Sequence, residues 1–333
     1  MSARSDKETN ANEKRMPTGK IANPELAQQL LEAFDQLQGV HAGFRPAHAK
    51  GLMCSGTFTP SAEAAKLTRA PHANRASTPV TVRYSDSTGI PNIPDNDPQS
   101  LPKGIGIRFH LDEHLHTDIV AHAFDGFLVR TGEEFLGFLR AAAAIGAGKP
   151  EVMGAFLAAH PNTKRFVEAP KQVPTSFARE AFFAVTAFKF TNTGGASRFG
   201  RFRIKPESGT EYLSKEEAAK MPANFLFDEL APRLAKQPVK LGVFVQMAEP
   251  GDDVMDASTA WPGNRTEIPF GTITLTSRVD EQAPERRKII FDPLPRVDGI
   301  DSAGDPLTQV RADLYLLSGR RRREALGDGA KHA

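Results

Sequence analysis

The chain carries a single cysteine, Cys54, so no disulfide can form within it. That fits a reducing compartment, and the cytoplasm is the expected location. Long apolar runs are missing, and nothing approaches the roughly 18 residues of a membrane span. The first twenty residues are polar with alternating charges and no apolar stretch, so they do not read as a signal peptide. An excess of one charge is missing too, since 42 Lys and Arg stand against 40 Asp and Glu. A near-neutral chain makes no demand for nucleic acid. Its one basic block, Arg320-Arg321-Arg322-Arg323, reads as a solvated helix terminus that complements the macrodipole, with an anionic cofactor or partner as the other reading. No Gly-x-Gly-x-x-Gly follows a strand and opens a helix. Gly104-Ile105-Gly106 lacks the third glycine and falls inside a strand pattern, so a dinucleotide site has no support.

The 333 residues are 40% hydrophobic, enough for a sizeable core in one large domain or two ordinary ones. Asn23-Pro24 opens a helix that Gly39 closes. Residues 51–59 and 79–85 read as strands, the second with β-branched residues in alternation. Residues 87–103, rich in Pro, Asn, Asp and Ser, read as a loop. Strand patterns return over 104–111 and 118–129. After Thr131, the spacing of Phe135, Phe138 and Leu139 predicts an amphipathic helix, and residues 150–182 hold shorter helical patterns. Strands are expected near 183–191, 199–205, 237–247, 270–276 and 287–291, and a helix over 224–235. Asp305-Pro306 starts a last helix, with Leu307, Val310, Leu314 and Leu317 as its buried stripe and Gly319 at its end. Many strands joined by tight turns, with helices gathered in blocks, predict an α+β fold built on an antiparallel β-barrel core with surrounding helices. The domain reading is a tail over 1–20, one domain over 21–323 and a short tail over 324–333.

In the last helix Arg311 and Tyr315 are four residues apart, which sets guanidinium and phenol on one face, a turn apart. A cation there favours phenolate over phenol. Phenolate is a hard anionic ligand, and Tyr is one of the few residues that hold haem iron axially. The segment Arg45-Pro46-Ala47-His48-Ala49-Lys50-Gly51 offers an imidazole for the other side of such a group. Taken singly, these residues have plainer readings. Arg311 and Tyr315 would be a helix-face pair worth a few tenths of a kcal/mol, and His48 would be one histidine of nine.

Taken together, they resemble the haem catalases. Arg45-x-x-His48-Ala49-Lys50-Gly51 is similar to that family's distal histidine motif. Thr78 to Ser85 resembles its strand with an Arg-aromatic-Ser triplet, here Arg83-Tyr84-Ser85. Asp118-Ile119-Val120 resembles the segment leading to the distal asparagine, and Ile290-Phe291-Asp292-Pro293 the stretch before the proximal helix. Arg311-x-x-x-Tyr315 matches the proximal pair. The five matches keep the family's order and span residues 44–318. In length the chain is most similar to the compact catalase-related peroxidases, which lack the C-terminal flavodoxin-like domain.

The resemblance implies a catalase-like barrel, haem b and an axial tyrosinate from Tyr315 kept ionised by Arg311. It implies general acid–base work for His48, oriented by Ser85, with peroxide cleavage through a ferryl intermediate. Arg45 and Arg83 would pair with the haem propionates, and Phe135 would pack near the haem. The substrates would be hydrogen peroxide or organic hydroperoxides, with a small-molecule electron donor, no nucleic acid and no membrane. A monomer or homodimer is expected. The aromatic balance, 22 Phe against 3 Tyr and 1 Trp, would limit oxidative damage, though Phe is also ordinary core filler.

One departure stands out. Where the family places its distal asparagine, this chain has His122, which either points into the pocket or points away. Histidine can charge and can accept a proton, unlike a fixed neutral amide. Weak catalase activity beside better peroxidase activity is therefore expected. Two other readings are a catalase-like fatty-acid hydroperoxide isomerase or dehydratase, and a non-catalytic haem carrier or sensor. His110, His114 and His116, beside Asp112 and Glu113, read as an exposed turn, with a metal site as the alternative.

Overall fold

The computed structural model describes residues 21–327, so the expectations for 1–20 and for 328–333 lie outside the described residues. Helix α1, Pro24–Gln38, starts where the sequence places it, with Asn23 Oδ1 accepting from Leu26 N at 3.1 Å. Four strands follow: β1 (Gly51–Pro60), β2 (Thr78–Ser85), β3 (Gly104–His110) and β4 (His116–His122). They pair antiparallel with their sequence neighbours. Further along come β5 (Phe182–Phe183), β6 (Phe188–Thr191), β7 (Ser197–Pro206), β8 (Val239–Met247), β9 (Glu267–Val279) and β10 (Ile300–Ser302). Strand β8 pairs with both β7 and β9, and β9 pairs with β1. This closes an eight-stranded antiparallel barrel, with β6 and β10 added beside β7. Closure leaves the eight strands without an open sheet edge.

The barrel interior is filled by rings such as Phe58, Phe109, Phe182, Phe202 and Phe270. A second core lies outside it. Helices α2 (Gly132–Gly146) and α6 (Pro306–Ala325) pack on α1 through Leu26, Leu30, Phe34, Phe135, Leu139 and Leu314. Burying each such Leu or Phe stabilises the fold by about 1.5–3 kcal/mol. Helices α3 (Pro150–Ala159) and α4 (Pro161–Glu168) continue from α2, and α5 (Phe225–Lys236) lies beside the barrel. Among the described residues, no helix is long and apolar enough to cross a membrane.

Three expectations about elements need correction. The apolar run 118–129 is strand only as far as His122. Beyond it, backbone groups bond elsewhere, with Phe127 N donating to Ala257 O at 2.9 Å, and Phe124 and Phe127 turn their rings onto Phe166 and Phe135. Residues 287–291 form no strand. They are apolar because Ile290 and Phe291 press against Gly319 and Gly106, where a Cβ would lie 2.2 Å and 2.9 Å from them. For the same reason Gly319 does not end α6. It admits Ile290, and the helix runs on to Ala325.

Candidate active site

Gly51, Ser85, Gly104 and His122 stand opposite one another across β1 to β4. Directly opposed residues of antiparallel strands send their side chains to one face. His48 enters this row from the turn before β1, its Nδ1 3.1 Å from Ser85 Oγ. Its φ of +58° is a left-handed conformation, fixed by a hydrogen bond from its N–H to Ser87 O at 3.1 Å. Gly104 leaves the room, because a Cβ there would lie 2.7 Å from His48 Nδ1 and 2.8 Å from Ser85 Oγ. Burial, then the charge of Arg83, pushes His48 down to about 4, so its imidazole is neutral at pH 7. The side chain is deep yet keeps accessible surface, as expected where it lines an interior space.

His122 shares the face of Ser85. Burial, then Arg311 and His48, pushes it down to about 3. Both ring nitrogens are buried without a hydrogen-bond partner. Two orphaned nitrogens on one ring are rare in a packed interior and point to a ligand space. The ring packs on Phe127 and Phe166, at centroid distances of 6.0 and 6.4 Å.

Helix α6 supplies the opposing groups. Arg311 Nη2 donates to Tyr315 Oη at 3.4 Å, and Nη1 donates to Thr186 Oγ1 at 3.4 Å. Tyr315 packs in the same cluster as Phe127 and as Ala47, the neighbour of His48. Phe135 stands one ring further back, edge-on to Phe127 at 5.6 Å.

Three arginines gather beside this space. Arg45 Nη1 donates to Glu281 Oε1 at 3.0 Å, and Arg83 Nε donates to the same oxygen at 2.6 Å. Arg45 and Arg322 both donate to Ile289 O. Arg322 is read from the sequence only as part of the basic block, with an anionic cofactor or partner as that block's second reading, and not singled out as a site residue. It is 5% exposed, so the basic block is not wholly a solvated terminus, and burial with Arg83 pushes it down to about 10. The missed signal is spacing. Arg311, Tyr315, Ser318 and Arg322 recur every three or four residues on one flank once the helix continues past Gly319. Glu281 had no local signal at all.

Buried ion pairs clamp the strand ends that carry the site. Lys50 Nζ, two residues after His48, lies 2.5 Å from Asp95 Oδ1. Lys103 Nζ, next to Gly104, lies 2.5 Å from Asp86, next to Ser85. Burial pushes the Asp86 carboxyl up to about 6 against the pull of Lys103. Two of the quoted segments also meet, since Asp118 Oδ2 accepts from Arg108 Nη2 at 2.7 Å and from Asp292 N at 2.8 Å. The histidine-rich turn is a turn. His114 is 89% exposed, and among the described residues no group of His, Cys, Asp and Glu could hold a metal ion.

The chain is similar to known proteins over most of its length. The family profile described as Catalase matches residues 7–326. A catalase-related peroxidase of Synechococcus elongatus is 32% identical over 90% of this chain and 89% of its own length. One from Mycolicibacterium paratuberculosis is 31% identical over 87% of this chain and 92% of its own. Catalase-1 of Arabidopsis thaliana is 27% identical over 88% of this chain, but that match takes in only 63% of the plant protein. In fold, a fungal catalase superposes with a TM-score of 0.74 at 20% identity, over 85% of this chain and 59% of that one. A bacterial catalase superposes with a TM-score of 0.72 at 21% identity, over 94% and 66%. The chain belongs to the catalase family.

Proposed function

We propose that the protein is a haem-dependent peroxidase that reduces hydrogen peroxide or organic hydroperoxides at the expense of a small electron donor. The observation that carries this reading is a neutral imidazole, His48, hydrogen-bonded to Ser85 and within reach of the charge of Arg311, which bonds Tyr315. The residues fit haem b. Tyr315 offers an oxygen ligand, the orphaned His122 nitrogens face a ligand space, and the buried Arg83 and Arg322 with the part-buried Arg45 offer cations for two propionates. When bound, haem supplies the electrons that split the O–O bond.

The chain's own residues handle protons and position. With Ser85 Oγ accepting from Nδ1–H, His48 Nε2 is the free base that takes the proton of an incoming hydroperoxide. The pKa of about 4 makes the resulting imidazolium a strong acid, which returns the proton to the leaving oxygen. Arg311 holds the Tyr315 oxygen in place by hydrogen bond and charge. Phe124, Phe127 and Phe166 around His122 exclude water and favour an organic substituent on the peroxide. A neutral His122 in place of an amide donor supports slow dioxygen release from hydrogen peroxide. The single buried cysteine suits the cytoplasm.

Turnover tests the reading. His48→Ala keeps bound haem and loses hydroperoxide-dependent donor oxidation by about 100-fold or more, the usual scale of acid–base catalysis. Unchanged turnover in that variant contradicts the assignment. Product analysis separates the related lipid chemistry, because a peroxidase yields an alcohol and an oxidised donor, whereas an isomerase or dehydratase yields a rearranged or dehydrated lipid.

A further inference from the structure

Glu281 has no part in the chemistry above, yet it holds the centre of the arginine cluster. It lies just beyond β9, at the start of the segment 281–289 that leads to Ile290. Its Oε1 takes both Arg83 and Arg45, while its Oε2 is buried without a partner. Arg322 stands alongside, its Nε also buried without a partner. Three guanidinium groups therefore share one carboxylate, which leaves two positive charges without a counter-ion within the cluster. A buried charge in deficit is costly. A ligand with two carboxylates lowers that deficit to one charge even where it takes the place of Glu281, and haem has two.

The segment is held down by the groups such a ligand would engage. Arg322 Nη1 donates to Arg287 O at 2.7 Å, and both Arg322 and Arg45 donate to Ile289 O. Several other bonds of the segment are local to it, as from Gln282 N to Asp280 Oδ1 and from Arg286 Nη1 to Asp280 O. Its far end is fixed by Ile290, whose carbonyl accepts from Arg108 and whose side chain rests on Gly319. A cavity of about 130 Å³ lies against the cluster, lined by Gly43, Arg45, Lys50, Glu281, Arg287 and Arg322 among others.

We propose that Glu281 is an internal latch on the propionate site, holding Arg45 and Arg83 until a porphyrin carboxylate displaces it and segment 281–289 swings outward. This rests on the haem reading above. Before loading, the Glu281 carboxylate stands where the incoming carboxylate must bind. Loading exchanges one charge-assisted contact for another, so the latch slows entry and shields the arginines from other anions.

The test uses the full chain prepared without haem, its Glu281→Gln variant and two iron-free probes. These are protoporphyrin IX and its dimethyl ester, in which both carboxylates are capped. Stopped-flow association of the free acid is expected to be on the order of tenfold faster in E281Q, the change set by one charge-assisted bond. Association of the diester is expected to be equal in both proteins. A second readout is trypsin cleavage after Arg286 and Arg287, which is expected to rise when the wild-type chain takes up free-acid porphyrin. Should E281Q fail to fold, this wild-type readout decides. Equal free-acid rates in the two proteins, or loop protection that does not fall on loading, overturn the latch and leave the haem reading intact. A wild-type chain that binds neither porphyrin overturns both.

Discussion

At the scale of single residues, the fold keeps several histidines neutral by burying them, and this has a cost in acid. His72 shows it without interference from the active site. Its ring sits among Phe58, Phe109 and Phe270 at centroid distances of 6.2, 4.8 and 5.6 Å, and its Nδ1 has no partner. Burial, then Arg75, pushes it down to about 3 from 6.5. Between those values the unfolded chain binds a proton that the folded chain does not, so stability falls as pH drops below about 6.5. Urea unfolding at pH 7 and pH 5 measures this. His72→Leu is expected to lose about 2 kcal/mol less than wild type over that interval, at about 1.4 kcal/mol per pH unit below 6.5. Identical losses would contradict the burial argument. The proposed site residues were legible at this scale wherever local periodicity governs. Arg83 and Ser85 share a face because a strand alternates, and Arg311 meets Tyr315 because a helix brings i and i+4 together. That His122 shares the outer barrel face of Ser85 was not legible, because register across three strands decides it.

At the scale of elements, α6 and the ends of β1 to β3 matter most. The sequence marks the start of α6 well, since Asp305 caps it and Pro306 follows. Its end was misjudged because a glycine needed for close approach looks the same as one needed for a cap. Gly319→Val places a branched side chain against Ile290 and is expected to destabilise the fold by about 1–3 kcal/mol. It is also expected to weaken haem binding, because Ile289 O anchors Arg45 and Arg322. Denaturant melts and haem titration check both effects, and a neutral substitution would mean that the close approach is not needed. The buried clamp is a second element-scale device. Lys103 and Asp86 have side chains with no exposure. Lys103→Met leaves the Asp86 carboxyl with only Lys50, at 3.8 Å, and is expected to cost about 3 kcal/mol. The loss should shrink when Asp86→Asn is added, and a double variant as unstable as the two singles combined would argue against pairing.

At the scale of the whole molecule, the candidate site brings together segments far apart in sequence. Ser85, Gly104 and His122 come from three strands, His48 from the turn before a fourth, and Tyr315 and Arg322 from a helix nearly two hundred residues later. Local pattern gave most of the strands and the α+β class. The closure of β8 onto both β7 and β9 is non-local and carries no local sequence signal. The near-neutral net charge likewise hid a cluster of two buried guanidinium groups, Arg83 and Arg322, and the part-buried Arg45. The central claim is that this gathered pocket holds haem with Tyr315 as the iron ligand and His48 opposite. The absorption spectrum of the purified full chain, beside those of Tyr315→Phe and His48→Ala, tests it most directly. A high-spin ferric spectrum of tyrosinate character, kept in the His48 variant and lost in the Tyr315 variant, is the predicted result. A chain without haem after expression with ample haem supply, or a spectrum that Tyr315→Phe leaves unchanged, would contradict it.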